Sequence, residues 1–238
     1  MKIISTDGIV VSSIPFKESS RIINILTKDM GIVGCIVKGC KSLKSKLRLP
    51  SEKFAYGTFH FYYKENGLST LIEADIKNYF ISDIVKISYM SYLCELATNV
   101  YKESNNNEVY DILISALLKI EDNFDPKIIT NIVEIQYLSY IGISLCLDSC
   151  VNCGSTKVVT LSTSRGGYLC SNCRQSEPIL DGKILKLLRL YNYVDISKIS
   201  NLDIDNEVSN AIDRIISEYY EDYSGVSTKS KKFLKEIE

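Results

Sequence analysis

Apolar residues in the first third of the chain come in short runs. IVVSSIPF, RIINILT and GIVGCIVKG are rich in Ile and Val and are separated by turn-forming residues, which predicts strands. FAYGTFHFYYKENGLSTLIEA then reads as two strands joined at Glu65-Asn66-Gly67, because Asn-Gly between apolar runs is a strong hairpin signal, both residues tolerating positive φ. Five strands within residues 1–78, with no helical period among them, suit a small closed barrel such as an OB-fold. Strands two and three are apolar on both faces, which predicts a barrel partly covered from outside.

From residue 79 the period lengthens to about 3.6. Ile84, Ile87, Leu93, Leu96, Ala97 and Val100 form one stripe; Tyr110, Leu113, Ile114, Leu117 and Leu118 form a second. Asp125-Pro126 opens a third helix, with Asp as N-cap and Pro in the first turn, followed by Ile128, Ile129, Ile132, Ile135, Leu138 and Ile141. A late helix carries Ile204, Val208, Ala211, Ile212, Ile215, Ile216, Tyr219 and Tyr223 on one face and acids on the other. The expected architecture is α+β and multidomain. An OB-fold DNA-binding domain (1–78) leads into a helical part (79–149). A cysteine segment (150–182) is inserted before the C-terminal helical part (183–238).

The net charge of −1 conceals a polarity along the chain. Residues 1–80 carry +5 and residues 81–149 carry −6, which suggests regions with separate partners. No stretch is long and apolar enough to predict a membrane span. The first residues, MKIISTDGIVVSS, make a poor signal peptide, so the cytoplasm is the expected compartment. Thiols stay reduced there, which weighs against disulfides.

That matters for CVNCGSTKVVTLSTSRGGYLCSNC, where Cys150, Cys153, Cys170 and Cys173 form two Cys-x-x-Cys pairs. This spacing predicts a tetrahedral Zn²⁺ site. Four protein ligands leave no open position, so the ion would be structural, one per chain. Val158–Leu161 and Tyr168-Leu169 read as short strands turned by Arg165-Gly166-Gly167. Cys146 reads as the last turn of the preceding helix, four residues ahead of Cys150. Cys35, Cys40 and Cys94 read as core or near-surface thiols.

KGCKSLKSKLRLP holds Lys38, Lys41, Lys44, Lys46 and Arg48 with no acid among them. Five cations on one loop beside a barrel make a phosphate-seeking surface. Of the aromatics that follow, Phe59, Phe61 and Tyr63 alternate as core, while Tyr56 and Tyr62 remain to stack on bases. His60 reads as a half-exposed strand residue, and the acids of the helical part as solvated faces. No nucleophile–base set and no phosphate-binding Gly-rich loop occurs, so the sequence makes no case for catalysis.

In order and spacing, these pieces resemble the bacterial RecO family of DNA repair and recombination mediators. The resemblance rests on DGIVVSSIPFKESSRIINILTKDMGIVGCIVKG, on GGYLCSNC and on TKSKKFL. It implies an N-terminal OB-fold, a helical domain and a zinc segment. It also implies binding of single- and double-stranded DNA and annealing of strands coated by single-stranded DNA-binding protein (SSB). Contact with the acidic SSB tail, and help from RecR in loading RecA, belong to the same expectation, as does a nucleoid-associated location. The basic loop matches the surface such a protein would use, and Arg21 would add to it. Lys229, Lys231 and Lys232 read as a second basic patch or, preferably, as the charged face of a terminal helix docked by Phe233 and Leu234. The competing reading is a zinc-stabilised protein–protein adaptor with little direct DNA binding.

Overall fold

The computed structural model describes residues 2–225 and 228–237, without the side chains of Lys232 and residues 235–237. Five strands come first: β1 (Lys2–Phe16), β2 (Ser20–Thr27), β3 (Gly31–Val37), β4 (Ala55–Tyr63) and β5 (Ser69–Tyr79). They close into a barrel in the order β1-β2-β3-β5-β4, as expected of an OB-fold. Only β3 and β5 pair in parallel; the other pairs are antiparallel. β1 is long enough to pair with β4 through its first half and with β2 through its second, and a bulge between Val10 and Ser12 lies where it changes partner.

Alternation fills the barrel. Val10, Ile23, Ile25, Val33, Cys35, Val37, Phe59, Phe61 and Leu71 form its core, each large side chain contributing about 1.5–3 kcal/mol by burial. Tyr63 packs at the margin of that core. β4 and β5 form the expected hairpin, joined through Glu65-Asn66-Gly67. The connection spans residues 64–68, and only Gly67 takes a positive φ (143°), so Asn66 supplies no left-handed position.

Six α-helices follow among the described residues: α1 (Ile84–Ser104), α2 (Glu108–Glu121), α3 (Pro126–Tyr140), α4 (Gly182–Tyr193), α5 (Asn206–Tyr219) and α6 (Lys229–Ile237). Asp125 caps α3 as expected, accepting from the Lys127 and Ile128 amides. The two-stranded ribbon of β6 (Val158–Ser162) and β7 (Gly167–Cys170) lies between α3 and α4. The chain forms two compact units. One contains residues up to 117 together with those from 230 onward; the other contains residues 118–229. The second unit is thus inserted in the sequence of the first.

Several expectations give way. α4 was not anticipated, although Asp181 caps it and Ile184, Leu185, Leu188 and Tyr191 form its buried face. Ile84 is the first residue of α1 and is exposed; Ile204 precedes the Asp205 cap of α5. Cys146 is not helical. Its segment forms a β-bridge with Gly167 alongside β7. Glu134 is buried on α3 rather than solvated. Leu234 docks as expected but Phe233 stays exposed.

Within the first unit, α1 packs against β1 and β3. Ile9 and Leu26 alternate out of the barrel yet are fully buried. Tyr101 of α1 lies so close to Gly31 that a β-carbon there would sit 1.9 Å from the tyrosine oxygen. At one end of the barrel, therefore, outward-facing apolar residues are explained by packing.

Candidate metal centre and nucleic-acid interface

The four cysteines converge. The sulfurs of Cys150, Cys153, Cys170 and Cys173 all lie within 4.8 Å of one another, and those of Cys153 and Cys170 are 3.6 Å apart. Each Cys-x-x-Cys turn closes on itself. The Gly154 amide donates to the Cys150 carbonyl at 2.8 Å, and the Cys173 and Arg174 amides donate to the Cys170 carbonyl at 3.2 and 3.1 Å. Gly154 takes φ 73°, the left-handed conformation that glycine adopts without penalty. The second turn needs no such residue, which is why Arg174 can stand in the equivalent place. Gly167 serves a different need: a β-carbon there would sit 2.5 Å from the Cys146 carbonyl oxygen.

The electrostatics favour a cation. Burial pushes the Cys150 thiol up, but backbone groups of Cys170, Asn152 and Cys153 outweigh it and bring it down to about 6. Cys170 is lowered too: burial opposes ionisation, and the Asn172 amide with the neighbouring thiols overcomes it. Cys173 is pushed up to about 12, chiefly through its contacts with Cys153 and Cys170. The first cysteine of each turn thus favours the thiolate, while Cys173 favours the thiol. Four thiolates this close repel one another, and a divalent cation is what lets all four ionise together. The cluster is positioned to bind a metal ion. Cys146 is exposed, is not part of the cluster, and its thiol is directed to the Ser149 carbonyl.

The basic loop joins β3 to β4. Lys38, Lys41, Lys44, Lys46 and Arg48 are all exposed, and none is ion-paired with a carboxylate among the described residues. A short 3₁₀ turn at Leu49–Ser51 ends the loop. Lys41 anchors it to the β1–β2 turn: its amide donates to the Ser19 carbonyl at 3.1 Å and its Nζ to the Lys17 carbonyl at 2.9 Å. Sequence reading missed Lys17, because a contact between two loops 24 residues apart leaves no local signal.

The other expected DNA-contacting residues are placed differently. Arg21 shares the parity of Ile23 and Ile25, so it lies at the end of the barrel interior. Its guanidinium pairs with Glu52 at 2.8 Å and donates to the Ser13 hydroxyl at 3.1 Å. Tyr56 is half-buried, stacked on Phe80 with centroids 6.1 Å apart and hydrogen-bonded to Tyr110 of α2. Tyr62 is exposed on β4, between Ile3 and Thr70. His60 lies 3.4 Å from Asp75 on the same outer face. Lys231 sits 5.2 Å above the Tyr92 ring, Lys229 is exposed, and the Lys232 side chain lies outside the described residues.

Comparison with known proteins now bears on this geometry. The profile of the recombination protein O N-terminal domain matches residues 1–80, and that of the recombination protein O C-terminal domain matches residues 81–232. The chain belongs to the recombination protein O family. Among its relatives, the DNA repair protein RecO of Listeria monocytogenes serotype 4a is 32% identical, over 98% of this chain and 94% of its own length. The protein of the same description from Halalkalibacterium halodurans is 30% identical over the same shares. That of Bacillus pumilus is 31% identical over 99% of this chain and 95% of its own. The fold and the cysteine cluster therefore belong to a DNA repair protein of the RecO family. No helix among its described residues is long and apolar enough to cross a membrane.

Proposed function

We propose that the protein is a non-catalytic, cytoplasmic mediator of recombinational repair that binds single- and double-stranded DNA and anneals strands coated by SSB. With RecR it would assist the loading of RecA, and it would contact the acidic tail of SSB. Annealing brings two polyanions together, so cations must offset their repulsion. The observation that carries this reading is the run of five exposed basic residues, Lys38 to Arg48, without carboxylate partners among the described residues, on the barrel of a RecO-family chain. Arg21 and Tyr56 are already engaged within the first unit and contribute less to such a surface.

Zn²⁺ is the ion that four closely spaced thiolates suit best, and Cys150, Cys153, Cys170 and Cys173 would hold it. A full shell of four protein sulfurs leaves no place for substrate, so the ion braces the segment. The experiment mixes complementary strands with SSB, adds the protein without nucleotide and follows duplex formation. Acceleration supports the mediator. No acceleration favours the zinc-stabilised adaptor, and shortened strands would indicate a nuclease.

A further inference from the structure

Apart from the cysteine cluster, the second unit holds a cavity of about 320 Å³, which reaches the size of small-molecule sites, roughly 300 Å³ and upward. Two stretches of chain and a helix enclose it. The Leu180 amide donates to the Val159 carbonyl at 3.0 Å and the Thr160 hydroxyl to the Pro178 carbonyl at 2.6 Å, so the chain from Ser176 to Leu180 runs beside β6. Ile215 and Glu218 of α5 form the third wall, and Thr163 is tied to it by donating to the Glu218 carboxylate at 3.1 Å. Leu161, Pro178, Leu180 and Ile215 are the apolar part of the lining. The rest is hydroxyl and carboxylate, and no basic side chain is among the lining residues.

The direction of the hydroxyl protons decides what such a lining can bind. Thr160 and Thr163 direct theirs to the Pro178 carbonyl and to Glu218. Ser162, only 4% exposed, is hydrogen-bonded to the Glu177 carboxylate, to which it can only donate. The Ser164 hydroxyl, 3.1 Å from that of Ser162, is therefore the donor of that pair. These four protons are committed within the protein, and lone pairs are what the hydroxyls leave to a ligand. Glu177 is ionised. The Gln175 amide at 2.7 Å, then its own amide, Arg165 and Ser162, hold its carboxyl below the usual range against the opposing effect of burial. Arg165 and Arg174 touch Glu177 without lining the cavity. Arg165 donates to the Cys173 carbonyl at 3.0 Å and lies 3.9 Å from the Glu177 carboxylate, and Arg174 donates to the Glu177 carbonyl at 3.1 Å.

We propose that this cavity binds an ammonium group on an aliphatic stem. Glu177, Glu218 and the hydroxyl oxygens hold the head, and Leu161, Leu180 and Ile215 receive the stem. An ammonium has three donors and no acceptor, the complement of hydroxyls and carboxylates that offer lone pairs. Two carboxylates repel an anion, so the cavity is not a further place for phosphate. The same head occurs in a free amine and in the lysine side chain of a protein. The assignment is independent of the DNA-binding reading above.

The test follows the backbone amide resonances of the full-length protein as n-butylammonium is added, with n-butanol as the uncharged counterpart. Saturable shifts confined to the residues of this cavity are expected with the amine and not with the alcohol. Glu177→Gln should weaken binding about tenfold, the worth of one charge-assisted hydrogen bond. Glu218→Gln, at a more exposed position, should weaken it about threefold. The Glu218 variant keeps an oxygen for Thr163 to donate to, so its loss reports the charge rather than a damaged fold. Both sources of the head support the site and are told apart by two further probes. Tighter binding of Nα-acetyl-lysine amide than of putrescine points to a protein side chain, and the reverse order to a free amine. Shifts that do not saturate or that scatter over the surface, an equal response to n-butanol, or unchanged affinity in Glu218→Gln would overturn the assignment.

Discussion

The basic loop of the barrel and the cysteine segment each concentrate groups of one chemical kind, with opposite consequences. In the loop, five like charges stand in solvent without carboxylate partners among the described residues. Solvent screens them, so they cost the fold little and contribute little to it. In the cysteine segment, four sulfurs converge and two are nearly buried, Cys150 at 1% and Cys170 at 5% exposure. There the charge cannot be left to water, and the four sulfurs are positioned to share an ion. The contrast separates two kinds of site. Uncompensated charge at a surface is available for a partner, whereas convergent buried donors are committed to the fold.

The comparison can be broken most severely from the cysteine side. Cys153→Ser should abolish stoichiometric zinc and expose residues 150–173 to proteolysis. Structural zinc contributes on the order of 10 kcal/mol in small domains, so the loss should exceed that of any single surface substitution. DNA binding by the barrel should persist. Metal analysis of the wild-type protein checks the premise, and a stoichiometry near zero would remove the metal centre.

A much smaller effect sharpens the barrel side, where Lys77, like Arg21, does have a carboxylate partner. Lys77 donates to Asp7 at 2.7 Å and Thr58 donates to its other oxygen at 2.6 Å. These hydrogen bonds, that of Lys77 first, hold the Asp7 carboxyl below its ordinary range. A depressed carboxylate contributes stability above its unfolded pKa of about 3.9, and that contribution is lost as pH falls through the lower folded value. Asp7→Asn should therefore melt slightly lower at pH 7 and lose less stability between pH 4 and pH 2 than wild type. Parallel acid melting curves would show that the pair adds nothing.

Much of this was legible before any coordinates. Alternation from Ile9 to Tyr63 gave the barrel, because a closed sheet must separate inside from outside at every second residue. The cysteine spacing announced its own chemistry, since two residues between cysteines suffice to aim both sulfurs at one point. What stayed hidden depends on contacts distant in sequence. Tyr56 looked free to stack until Phe80 and Tyr110 came to meet it, and Arg21 looked available until Glu52 closed over it. Cys146 extended the helical pattern on paper, but its segment pairs with Gly167, 21 residues later. The apolar outer face of β2 and β3 was visible as composition. Only the register divided it into an end covered by α1 and an end left open.

The central claim, that the loop from Lys38 to Arg48 meets phosphate, is tested most directly by the salt dependence of single-strand binding. Wild type and a Lys41→Gln, Lys44→Gln, Lys46→Gln variant are titrated with one fluorescent oligonucleotide across a range of ionic strength. If each lysine contacts one phosphate, the log–log slope of the variant is shallower by about two. An unchanged slope would place the strand elsewhere and contradict the account.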